Sequence, residues 1–194
     1  METPSNQELF SLSEKLFQES QEIVTDLNLL SIANRYSECH QIGSSVMGLQ
    51  IDEDIDFTCY VENKVSVEEC FSFAQELVMN PKVELLRIKN FLTKVPYYQF
   101  KVYIDPYSYK GRQWQIAFSF QVKSQQLVSG EVEKIEWVKS RLSDEKKLTI
   151  LRLKYLVKAQ QLKIPSATIY NAVLENGVSD FTGLQNYINS HETK

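Results

Sequence analysis

The stretch IGSSVMGLQIDEDIDF, residues 42–57, decides how the rest of the chain is read. Gly43-Ser44 is followed ten positions on by Asp54 and then by Asp56, with Asp52 and Glu53 just ahead of them. Two carboxylates about 5 Å apart repel by roughly 3 kcal/mol at an effective dielectric near 20. So dense an acidic run therefore needs water or a cation beside it. In a strand over 54–61, Ile55, Phe57, Cys59 and Val61 point to one side while Asp54, Asp56, Thr58 and Tyr60 point to the other. The two aspartates then share a face.

Working outward, Leu9, Leu12, Leu16, Ile23, Leu27 and Leu30 recur at helical spacing, with Ser20 filling one gap, and predict a helix over 7–33. Residues 39–44 read as the strand that ends in Gly43-Ser44. Ser66-Val-Glu-Glu69 is a capping-box pattern, and Val67, Cys70, Phe71, Ala74, Leu77 and Val78 form the apolar stripe of the helix it starts. Asn80-Pro81 stops that helix. Strands are expected over 83–88, 97–105 and 114–122, the last two joined by a loop over 106–111. Helical periodicity returns after Gly130. It marks helices around 132–142, 148–162 with Ser143 as N-cap, 166–176 closed by Gly177, and 181–188. The expected class is α+β, with an N-terminal helix and mixed-sheet core over 1–130 and a helical region over 131–194.

Composition narrows the function. With 194 residues, 43% of them hydrophobic, the chain can bury one sizeable core or two small ones. No apolar run is long enough to predict a membrane span, and the polar start METPSNQE lacks the features of a signal peptide, so a cytoplasmic protein is expected. Cys39, Cys59 and Cys70 are odd in number and form no C-x-x-C, which favours buried thiols over disulfides or zinc. His40 and His191 stand too far apart to suggest a histidine metal site or triad. Residues 1–80 carry 15 acidic and 3 basic side chains, net −12, whereas 134–163 carry 9 basic and 3 acidic, net +6. Solvated helix faces explain much of this; an acidic metal site facing a basic wall is the functional alternative.

An apolar residue, Gly43-Ser44, a nine-residue spacer, then Asp54-Ile55-Asp56-Phe57 resembles the signature of the nucleotidyltransferase superfamily with the polymerase β-like fold. The resemblance covers about residues 36–122. It implies that the Gly-Ser turn contacts a nucleoside triphosphate and that Asp54 and Asp56 hold Mg²⁺ bridging it. The chemistry is sound without the name. Backbone N–H groups at a glycine turn can approach phosphate closely, and paired carboxylates suit a hard cation that also binds phosphates. The family pattern adds a third carboxylate from a later strand, but the corresponding face of 114–122 offers Gln115, Ala117, Ser119 and Gln121. Asp105, before Pro106, is the nearest substitute and Glu84 a poorer one.

Lys154 and Lys158, one turn apart, could hold phosphates, with Arg152, Lys110 and Arg112 as lesser candidates. Tyr97, Tyr98, Tyr103, Tyr107 and Tyr109 could stack on a base or pack in the core. The expected activity is metal-dependent transfer of a nucleoside monophosphate from a nucleoside triphosphate to a small-molecule or protein hydroxyl. The alternative is a degenerate relative that binds nucleotide or a protein partner. Nucleic acid is not expected as a partner of so acidic an N-terminal half, unless metal and the basic helices dominate.

Overall fold

A computed structural model describes residues 4–93, 99–123 and 130–191. The elements in chain order are α1 (Asn6–Asp26), α2 (Leu29–Ala33), β1 (Glu38–Ile42), α3 (Ser44–Met47), β2 (Asp54–Val61), α4 (Val67–Val78) and β3 (Leu86–Asn90). They continue with β4 (Phe100–Tyr109), β5 (Arg112–Val122), α5 (Gly130–Lys139), α6 (Asp144–Ala159), α7 (Ser166–Asn176) and α8 (Phe181–His191). The class is α+β, as expected. The sheet order is β1-β2-β5-β4-β3; β2 and β5 run parallel and every other pair antiparallel.

Alternation along the strands sorts the sheet into two faces. Ile55, Phe57, Cys59, Ile116, Phe118 and Phe120 form the apolar face, packed under α1, α2 and α4. Phe57 stacks on Phe118 with ring centroids 4.5 Å apart, and Phe73 of α4 meets Phe118 and Phe120 edge-on at 4.9 and 5.1 Å. The opposite face carries Asp54, Asp56 and Thr58. A second apolar cluster joins Leu49 of the β1–β2 loop to Val138, Ile150, Leu153 and Ile169 of the C-terminal helices, which brings those helices over the β1–β2 end of the sheet.

Several boundaries differ from expectation. The helix over 7–33 is two helices, because Asn28 adopts a left-handed φ of 53° between them. The first strand stops at Ile42: Gly43 turns the chain at φ 77° and ψ −160°, and Ser44 begins α3. On α4 the buried aromatic is Phe73, whereas Phe71 is exposed. The expected loop over 106–111 is mostly strand. A bulge between Ile104 and Tyr107 accommodates Pro106, and the reversal is left to Lys110-Gly111, both with positive φ. The third strand starts at Leu86 rather than at 83. Tyr97 and Tyr98 lie outside the described residues.

Candidate functional site

Gly43, Ser44, Asp54 and Asp56 line one cavity of about 230 Å³, walled on its far side by Ser166 and Tyr170 of α7. Gly43 is required here on two counts. Its backbone conformation is one that residues with a Cβ rarely adopt, and a Cβ at this position would come within 3.5 Å of Asp56 Oδ2. The turn that should meet phosphate therefore sits beside the carboxylate that should meet metal. Ser45 locks the turn from within, donating to the Ile42 carbonyl at 3.2 Å, and Gln21 of α1 donates to the Ser45 carbonyl at 3.1 Å.

The four acids of the opening stretch part company in space. Asp52 is ion-paired with Lys158, and Glu53 with Arg112 Nη1 at 2.8 Å; Arg112 Nε also reaches the buried Glu19 of α1 at 3.2 Å. Among the described residues, Asp54 and Asp56 have no such ion pair and both face the cavity. Burial, and then the charge of Asp56, push the Asp54 carboxyl up to about 7; burial also raises Asp56. Lys154 pulls both carboxyls the other way and Lys101 pulls Asp56, without offsetting burial, and Lys134 of α5 lines the same cavity. A divalent cation would supply the further positive charge that keeps both buried carboxylates ionised. Two carboxylates on alternate positions of one strand fit the protein's share of an octahedral Mg²⁺ site whose remaining oxygens would come from phosphates and water. No group of three or more His, Cys, Asp or Glu side chains forms a protein-only metal cage among the described residues.

Lys154 is buried and donates from Nζ to the Leu49 carbonyl at 2.7 Å; Lys158 reaches the Ile51 carbonyl at 3.4 Å. Both lysines thereby grip the loop that presents Asp54, and neither is among the residues lining the cavity. Burial lowers the Lys154 ammonium from its usual range, against the opposing pull of Asp54, Asp52 and Asp56. The lesser basic candidates are engaged elsewhere, Arg152 with Asn6 and Lys110 with Glu22. Tyr109 donates to Glu22 at 2.9 Å, away from the cavity, and Glu84 lines a separate hollow with Asp26 and Lys82.

Register settles what stands where a third acid would be sought. Gln115 lies opposite Asp54 and Ala117 opposite Asp56. Asp105 is one strand further on, ion-paired with Arg87 and accepting from Gln115 Nε2 at 3.4 Å. Two inter-strand steps of about 4.8 Å separate its strand from β2. Sequence reasoning missed Ser166 and Tyr170. They are one turn apart on α7, and the Tyr170 hydroxyl, near Ser166 but closing no hydrogen bond, is buried against the same cavity. Their helical spacing was visible; that this face meets Asp54 was not.

No family model and no curated protein matches the chain. Solved structures do. Cid1 poly(U) polymerase with MgGTP bound aligns with a TM-score of 0.63 and 17% identity over 87% of this chain and 53% of that one. Cid1 in complex with its short product ApU gives 0.61 and 17% over 87% and 52%. A cytoplasmic RNA terminal U-transferase gives 0.58 and 16% over 88% and 55%. The chain spans about half the length of these proteins, and at such identity the likeness establishes the fold, which is that of the nucleotidyltransferases. It also overturns the expectation against nucleic acid, since this fold is shared with a poly(U) polymerase and an RNA terminal U-transferase. Segment charge misled because it ignores pairing: Glu22, Asp26, Glu38, Asp52 and Glu53 are each neutralised by a lysine or arginine. No helix among the described residues is long and apolar enough to cross a membrane.

Proposed function

We propose, with the nucleotidyltransferase fold as premise, that this chain binds a magnesium–nucleoside triphosphate and transfers its nucleoside monophosphate to an acceptor hydroxyl. The observation that carries this reading is the contact geometry of Gly43 and Asp56 on the wall of a single cavity that also holds Ser44 and Asp54. Asp54 and Asp56 would hold Mg²⁺, which when bound neutralises triphosphate charge and makes the α-phosphorus more electrophilic. Backbone N–H groups at Gly43-Ser44 would orient the triphosphate. In the transfer the acceptor oxygen bonds to the α-phosphorus, the bond from that phosphorus to the bridging oxygen breaks, and pyrophosphate leaves. Residues 1–130 supply these groups and 131–194 close the cavity. A cytoplasmic location stays with this reading, in keeping with three buried free cysteines.

One specific observation favours a second reading, a degenerate relative in which nucleotide binding outlasts catalysis: Ala117 stands opposite Asp56, and Asp105 is taken by Arg87. Transfer of α-labelled nucleotide by wild type, Asp105→Asn and Ala117→Asp separates the two. Turnover in wild type that is lost in Asp105→Asn supports a complete enzyme using Asp105. Activity gained only in Ala117→Asp supports the degenerate reading. Neither turnover nor magnesium-dependent nucleotide binding in any variant would sink both.

A further inference from the structure

The two strands that present the site also share a pair of thiols. Cys39 of β1 stands directly opposite Cys59 of β2, and the same ladder runs on to the pairing of Ile42 with Asp56 at the glycine turn. Antiparallel partners either exchange backbone hydrogen bonds or stand closer together without them. The Cys39 N–H donates to the Asn34 side-chain oxygen at 2.9 Å instead of to β2, so this pair is of the closer kind, with Cα atoms about 4.5 Å apart. That lies within the range of about 4.4–6.8 Å that a disulfide spans without moving the backbone. Both side chains belong to the apolar core, Cys59 fully buried and Cys39 5% exposed, and both thiols are free. Burial, and then a hydrogen bond with Cys39, hold the Cys59 thiol well above its usual range. Cys39 also lines a hollow of about 320 Å³ between β1, α2 and α5, which a small neutral oxidant can enter.

We infer that Cys39 and Cys59 are an oxidisable pair, which hydrogen peroxide converts into a disulfide that staples β1 to β2 behind the cavity. The Cys39 sulfur, reached from the hollow, attacks one peroxide oxygen; the O–O bond breaks, a sulfenic acid forms, and the departing hydroxide takes the thiol proton and leaves as water. The Cys59 sulfur then displaces the sulfenic hydroxyl, which takes the Cys59 proton and leaves as a second water. Two thiols and one peroxide thus become one disulfide and two waters. Because Cys59 is held as the thiol, the reaction is slow. The ring that the disulfide closes, residues 39–59, contains Gly43, Ser44, Asp54 and Asp56, so the staple fixes the turn against the acid strand. It does so whether or not the chain transfers nucleotides.

The test is treatment with hydrogen peroxide, then thiol alkylation, tryptic digestion and mass spectrometry. Cys39 and Cys59 fall in one tryptic peptide, residues 36–64, and Cys70 in another, residues 65–82. The expected product is the 36–64 peptide lighter by two hydrogens and closed to alkylation, with both thiols restored by dithiothreitol. Oxidised protein should melt about 5–10 °C above reduced protein, and the amides of residues 40–58 should exchange more slowly. Cys39→Ala and Cys59→Ala should each lose this difference between oxidised and reduced forms, and Cys70→Ala should keep it. Comparing the two forms of one variant cancels whatever the core substitution itself costs the fold. Three results would overturn the inference. They are free thiols under conditions that turn the exposed Met79 into its sulfoxide, a cross-link joining 36–64 to 65–82, and a disulfide that leaves the melting temperature unchanged or lowers it.

Discussion

The two faces of the sheet are made by alternate residues of the same strands, yet they have opposite physics. Ile55, Phe57 and Phe118 are fully buried among aromatic rings, whereas Asp54, Asp56 and Lys101 on the other side face like charges and a cavity. The apolar face supplies stability, since each fully buried Phe or Ile contributes about 1.5–3 kcal/mol. The polar face spends part of that stability on two buried carboxylates that Lys154 and Lys101 offset only in part. Substitutions on the first face should therefore destabilise the fold, and substitutions on the second should affect binding while costing the fold little or improving it.

The largest effect is expected on the apolar face. Phe118→Ala removes a ring held between Phe57 and Phe73 and should cost about 3–5 kcal/mol in chemical denaturation. A loss below about 1 kcal/mol would mean that stability does not reside there. Next comes Gly43→Val, which forces a β-branched residue into φ 77° at a strain of about 1–3 kcal/mol. Calorimetric titration should show nucleotide affinity falling far more than in Lys123→Ala, whose side chain pairs with Glu38 at the surface. Equal affinities would remove the turn from the binding site.

Smaller, but opposite in sign, is Asp54→Asn. In chelator it should raise stability by on the order of 1 kcal/mol, because a buried carboxylate repelled by Asp56 becomes a neutral amide. Combined with Asp56→Asn it should abolish the rise in melting temperature that Mg²⁺ and nucleotide give the wild type. A double variant that still responds like wild type would show that the metal sits elsewhere. The smallest effect belongs to Lys158→Ala, which breaks an exposed pair with Asp52 and should cost no more than about 1 kcal/mol.

Elements whose ends are set by local chemistry were readable in the chain. Ser66 and Ser143 cap α4 and α6 through their hydroxyls, and Gly177 closes α7 in the left-handed conformation. Where a residue's role depends on what packs against it, reading failed. On α4, the arc of Val67, Phe71 and Val78 and the arc of Cys70, Phe73 and Leu77 are equally apolar, and only docking on Phe118 and Phe120 selects the second. Pro106 looked like a turn because proline cannot donate to a ladder, but a bulge spares it that bond.

The site divides in the same way. Period-two alternation puts Asp54 and Asp56 on one face whatever surrounds them, and a glycine ahead of Ser44 permits the one backbone conformation that brings the turn against Asp56. The alternation is a consequence of covalent geometry and was settled by the sequence alone, as was the absence of an acid at Ala117; that the strand ends at Ile42 and Gly43 turns against Asp56 was shown only by the fold. Which of the four acids stay outside an ion pair among the described residues was decided by tertiary structure. Lys158 and Arg112 neutralise Asp52 and Glu53, and Lys154 reaches Leu49 from 105 residues along the chain. Charge pairing depends on separation in space, which one-dimensional order does not contain. For the same reason, only folding could bring Tyr170 to the cavity and set Lys89 against Lys101.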